Sequence, residues 1–103
     1  MNEKTIVIIR KWYGEYIAIF PYEIADSSPY FCMAYMTVGQ HSACMPDGIV
    51  TDSKHTNNDE SEELKDFISE LKRIGYDLEI RKRLPSNSID VRRKKLQEIN
   101  RRK

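Results

Sequence analysis

Between Asp59 and Ile74 the chain carries one helical stripe: Leu64, Phe67, Ile68, Leu71 and Ile74 fall at i, i+3, i+4, i+7 and i+10, with no apolar residue off that face. A helix with a single apolar stripe must bury it against another layer, so the rest of the chain has to supply a sheet or a second helix. The ends of the helix are marked as well. Asp59 followed by Glu62 has the spacing of a capping box, acidic Asp59, Glu60, Glu62 and Glu63 open the segment, Lys72 and Arg73 close it, and Gly75 stands where a left-handed C′ residue belongs.

The remaining apolar residues read as strands. Thr5 to Tyr13 and Tyr16 to Phe20 are rich in β-branched and aromatic residues and flank Gly14-Glu15, which marks a hairpin with Gly14 free to take positive φ. In the first strand Ile6, Ile8, Arg10 and Trp12 share one face and Val7, Ile9, Lys11 and Tyr13 the other. Both faces begin apolar, so the strand is expected at the centre of a sheet. Pro21 is expected to end the second strand, because it has no amide to donate to a ladder. Tyr30 to Val38 is a third strand, apolar on both faces, and Tyr76 to Leu84 a fourth, with a charged outer face. Gly39 to Gly48 and Thr51 to Asn58 read as a long polar connection. The fold expected is therefore α+β, a two-layer sandwich of order β-β-β-α-β: one helix on a mostly antiparallel four-stranded sheet, with the last strand parallel to the third or first. Residues 1–85 form this domain, and residues 86–103 a basic tail that is either a helix capped by Ser88 or unfolded until it meets a partner.

A chain of 103 residues has room for one modest core. Its longest apolar runs, Ile6 to Ile9 and Ile17 to Phe20, fall far short of the roughly 20 residues of a membrane span. The N-terminus lacks the features of a secretory signal, and with two cysteines, Cys32 and Cys44, expected as reduced thiols, the reading is cytoplasmic, with no membrane partner. Charge is divided along the chain: residues 1–80 sum to −7 and residues 81–103 to +8.

No residue set fixes a reaction. His41, Cys44 and His55, as H-x2-C-x10-H with Asp47 or Asp52 as a fourth ligand, offer zinc donors but not the spacing of a standard finger. Cys44 activated by His41 would be a nucleophile only if the loop made a helical turn, and no orienting carboxylate or oxyanion hole is evident. No catalytic residue, metal or cofactor is therefore assigned, and binding is expected rather than catalysis. A binding surface is expected from Gln40 and His41 in the glycine-bounded loop together with Trp12, Tyr13 and Tyr16 beside Arg10, aromatics with arginine being common anchors of protein interfaces. The alternative is nucleic acid held by Arg81, Lys82, Arg83, Arg92, Arg93, Lys94 and Lys95, which would neutralise phosphates.

Ile8-Ile9-Arg10-Lys11, Ile17-Ala18-Ile19-Phe20-Pro21, Tyr35-Met36-Thr37-Val38-Gly39-Gln40-His41 and Ile74-Gly75-Tyr76 together resemble a family of small uncharacterised bacterial proteins carried on plasmids, phages and other mobile elements. The resemblance covers about residues 5 to 83, is most specific in the Tyr-Met-x-Val-Gly-Gln-His block, and omits the basic tail. It implies a mobile-element setting and brings no catalytic residues with it. The expected function is a noncatalytic protein-binding or regulatory role, such as an accessory or counter-defence factor.

Overall fold

The structure, a computed structural model, describes residues 4–25, 28–36, 40–56 and 59–101, with Gln40, His41 and Ser42 described by their backbone. It is α+β: among the described residues, an open, largely antiparallel sheet with three helices. In chain order the elements are β1 (Thr5–Trp12), β2 (Glu15–Ile24), β3 (Cys32–Met36), β4 (Gln40–Cys44), α1 (Pro46–Asp52), β5 (Lys54–His55), α2 (Glu62–Arg73), β6 (Leu78–Ile80) and α3 (Ser88–Arg101). The strands run β4-β3-β2-β1, and the far edge of β1 is shared by two short strands. β5 pairs antiparallel with its end, Arg10 opposite His55, and β6 pairs parallel with its start, Ile6 opposite Glu79. The last strand is thus parallel to the first, one of the two expected pairings.

The β1–β2 hairpin closes through Tyr13-Gly14, with Trp12 opposite Glu15. Both turn residues have positive φ, 50° and 79°, the geometry whose twist matches that of the flanking strands. β2 does not stop at Pro21 as expected. It continues to Ile24 because the register with β3 slips between Phe20 and Ile24, so the proline lies where the ladder is already interrupted.

Two corrections concern the layers. The connection expected after Val38 is a fourth strand and a short helix, and Lys54–His55 within the polar connector is a further strand, so the sheet has six strands rather than four. Helices also cover both faces, where one face was expected to be covered. Against one face, α2 packs Leu64, Phe67 and Leu71 on Val7, Ile9, Ala18 and Phe20. Against the other, Ile49 of α1 joins Ile8, Ile17, Ile19, Cys32, Ala34 and Cys44. The physical reason is the alternation within β1 and β2. Ile8, Ile17 and Ile19 point away from α2 and are each buried to within 1% of fully, a burial worth about 1.5–3 kcal/mol per side chain that needs a second cover.

α2 is shorter than the sequence pattern, and its cap is Ser61 rather than Asp59. The Ser61 hydroxyl accepts the Leu64 amide at 3.2 Å, while Asp59 accepts the Ser61 amide at 2.9 Å. Gly75, at φ 112°, ends the helix as expected, with Tyr76 returning its amide to the Leu71 carbonyl.

The segment read as a basic tail is helical from Ser88 to Arg101 and docked on β2. Its few apolar residues at helical spacing, Ile89, Leu96 and Ile99, are only partly buried or exposed. Polar bonds dock it instead. Arg92, 2% exposed, donates from Nη1 to the Pro21 carbonyl at 2.5 Å and from Nε to the Pro29 carbonyl at 2.8 Å. Lys95 donates to the Tyr22 carbonyl at 2.6 Å, and the Tyr22 hydroxyl donates to Asn87 just before the helix at 2.9 Å.

Candidate functional site

A cleft of about 510 Å³ opens between α1, the β6–α3 connection and the start of α3. Arg10, Lys82, Arg83 and Arg92 line it, and Asp47 is the one carboxylate among the described residues that do. Thr51, Ser86 and Ser88 add hydroxyls. α3 begins at Ser88 on the cleft wall, so the positive end of its dipole faces the same space, offset in part by Asp90 in its first turn.

Two of the four cations are held in place. Arg10 crosses from β1 to the end of α1, giving Nε to the Ser53 hydroxyl at 2.8 Å and Nη2 to the Ser53 and Val50 carbonyls at 2.8 and 3.0 Å. It thereby satisfies carbonyls that a helix C-terminus leaves without partners. Arg92 forms the buried wall. Among the described residues no carboxylate lies within ion-pair distance of either guanidinium. A buried cation answered only by carbonyl dipoles leaves a positive field in the cleft, and that field favours an anion. Lys82 and Arg83 are exposed at the mouth and make no ion pair among the described residues.

The sequence grouped these residues differently. Of the aromatic and arginine set, Arg10 belongs to the cleft. Trp12 and Tyr13 touch, with ring centroids 5.0 Å apart, and Tyr13 is 83% exposed, whereas the Trp12 indole N–H is buried without a hydrogen-bond partner among the described residues. Tyr16 leaves the expected patch altogether. It is buried under α2, stacked on Phe67 at 5.9 Å, and its hydroxyl donates to Asp59 at 2.5 Å and meets Ser61 at 2.9 Å, with the Lys11 ammonium 5.4 Å above its ring. The Asp59 bond pushes the Tyr16 hydroxyl above its ordinary range and holds the Asp59 carboxyl down to about 2. Gln40 and His41 are strand residues, opposite Met36 and Tyr35; their side chains, and Thr37 to Gly39 beside them, lie outside the described residues. β4 is extended, so the helical turn needed to bring His41 onto Cys44 does not form. The described partner of Cys44 is Cys32. His55 is exposed in β5, and no three His, Cys, Asp or Glu side chains among the described residues gather as metal ligands.

Of the expected phosphate-binding residues, Lys82, Arg83 and Arg92 meet in the cleft. Arg81 is paired with Glu79 at 2.7 Å, Arg93 lies 3.7 Å from Asp90, Lys94 is exposed, and Lys95 is engaged with the Tyr22 carbonyl. The sequence reading placed Arg10 with the aromatic set and did not group it with these cations, which it joins in the cleft. The signal was an arginine two residues after Ile8 on an otherwise apolar strand face, an inward charge that needs a nearby answer.

The acidic cluster of α2 keeps apart from this surface. Glu60, Glu62, Glu63 and Asp66 are exposed at the start of α2, on the sheet face opposite α1. No helix among the described residues is long and apolar enough to cross a membrane. No family model, curated protein or solved structure matches this chain, so its own geometry carries the functional argument.

Proposed function

We propose that this protein is a noncatalytic nucleic-acid-binding protein that grips the phosphodiester backbone in the basic cleft and along the exposed side of α3. The observation that carries the reading is the convergence of Arg10, Lys82, Arg83 and Arg92 around one carboxylate. The described residues that line the cleft include no aromatic ring on which a base could stack, which favours recognition of phosphate rather than sequence. Exposed Arg93, Lys94 and Arg101 extend the positive surface along the helix. The carboxylates at the start of α2 lie on the sheet face opposite α1, which leaves Asp47 as the carboxylate lining the cleft among the described residues. In the mobile-element setting implied by the resemblance, a sequence-independent strand binder would serve as an accessory factor. Fluorescence anisotropy with a labelled single-stranded oligonucleotide tests the reading. Binding should weaken steeply with salt, with a log–log slope of about 0.7 per phosphate engaged, and Lys82→Ala/Arg83→Ala should flatten that slope. Binding that is absent at low salt, or unchanged in the double variant, would end it.

One observation favours a second reading, the protein partner expected from the sequence. Tyr13 holds positive φ, costly for a bulky residue, while its ring stands in solvent. Asn suits that backbone better, so Tyr13→Asn should fold at least as well. If a partner protein recovered by wild type is lost with this variant while oligonucleotide binding persists, the hairpin tip is the contact surface.

A further inference from the structure

Cys32 and Cys44 lie directly opposite one another on β3 and β4, both as free thiols, with Sγ atoms 3.6 Å apart. Directly paired residues of antiparallel strands have Cα atoms about 4.5–5.5 Å apart, inside the range a disulfide spans. Closing 3.6 Å to the S–S length of about 2.05 Å is within reach of side-chain rotation. The two thiols differ in access. Cys32 is fully buried, whereas Cys44, 8% exposed, forms part of the wall of a surface pocket of about 410 Å³. Trp12, Phe31, Met36, Met45 and Ile49 make that pocket largely apolar, and Asp52 is its one charged residue among those described.

We infer that Cys44 and Cys32 form a thiol–disulfide exchange site that reduces small uncharged or cationic disulfides entering the apolar pocket. Cys44 thiolate attacks one sulfur of R–S–S–R; the new bond is Cys44–S–S–R, the R–S–S–R bond breaks, and one RS⁻ leaves. The Cys32 thiol gives its proton to a departing thiolate and attacks the Cys44 sulfur, which breaks the mixed bond and releases the second RS⁻. The protein dithiol is oxidised to a disulfide by two electrons, and the small disulfide is reduced to two thiols. Access assigns the roles, since only Cys44 can meet a molecule from solvent. The electrostatics agree: a hydrogen bond from the Cys32 thiol holds the Cys44 thiol below its ordinary range, aided by the Arg92 charge, while donating that bond and being buried push Cys32 up. This site is independent of the cleft reading, because it uses another pocket and other chemistry.

The full chain, reduced and freed of reductant, is mixed with 2-hydroxyethyl disulfide or cystamine, quenched with acid at intervals and read by intact mass and peptide mapping. Wild type should pass through an adduct on Cys44 to an internal disulfide with both thiols lost. Cys32→Ser should stop at the Cys44 adduct, Cys44→Ser should stay unmodified, and the dianionic dithiodiglycolate should react more slowly than either probe. In wild type, iodoacetamide should label Cys44 at least about tenfold faster than Cys32. Labelling at equal rates, a first adduct on Cys32, or an adduct that never closes would overturn the inference, and dithiodiglycolate reacting as fast as the others would overturn the substrate class. Should either serine variant fail to fold by circular dichroism, the order of adducts in wild type decides alone.

Discussion

Arg92 shows how one side chain can hold an element in place without apolar contact. Its two bonds satisfy the carbonyls of Pro21 and Pro29, which lie beneath α3 and would otherwise be left in the interior without donors. Arg92→Met keeps the bulk and removes both donors; at about 1–3 kcal/mol for each of the two orphaned carbonyls, a loss of about 2–6 kcal/mol is expected in urea unfolding. A loss below about 1 kcal/mol would mean that the helix docks by other means. The Tyr16–Asp59 bond gives a second prediction at this scale. Asp59 is held at about 2 in the folded state, chiefly by the Tyr16 hydroxyl, against an ordinary carboxyl near 4 when unfolded. A depressed folded value contributes stability above the unfolded pKa, and that contribution is lost as pH falls from about 4 to about 2. Urea midpoints measured across this window should fall for wild type, and the fall should be shallower in Tyr16→Phe.

Among the elements, α2 and α3 are built on different terms. The stripe of α2 is apolar and its cap local, so its identity was legible in the sequence, and what shifted was its start, with the cap moving from Asp59 to Ser61. Asp59 was engaged by Tyr16 from another strand, which left Ser61 to receive the Leu64 amide. Ser61→Ala is expected to cost about 1 kcal/mol, whereas the capping box predicted from Asp59 would leave Ser61 near neutral. Thermal melts of Ser61→Ala distinguish the two. α3 has no comparable stripe. Its buried positions are Ser88 and Arg92, and a hydropathy pattern cannot register a helix anchored by a guanidinium on main-chain carbonyls. β4 and β5 were equally hard to read, since five and two residues with glycine, proline and histidine around them look like loop until a neighbouring strand completes their hydrogen bonds.

For the molecule as a whole, the sheet acts as a partition. Exposed carboxylates cluster at the start of α2 over one face, and the cation-lined cleft, with Asp47 in its wall, opens beside α1 over the other. Deleting residues 88–103 should therefore do more than lower nucleic-acid affinity. It exposes the Pro21 and Pro29 carbonyls and the sheet under α3, and the truncated chain should unfold at lower urea than the full chain. A truncated chain of unchanged stability would show that residues 86–103 are an appendage to an independent domain, as the sequence suggested.

The sequence by itself determined what periodicity and local chemistry can encode: the α2 stripe, the β1–β2 hairpin around Gly14, the C′ glycine at 75, the α+β class and the basic character of the last residues. These depend on neighbours a few positions away along the chain. The tertiary structure alone decided the contacts between distant residues: Arg10 meeting Lys82, Arg83 and Arg92, Tyr16 turning inward to Asp59, Cys44 finding Cys32 across two strands, and a second helical layer over the other sheet face. Each of these depends on long-range strand register and on burying polar groups with partners far away in sequence, and no spacing rule along the chain carries that information.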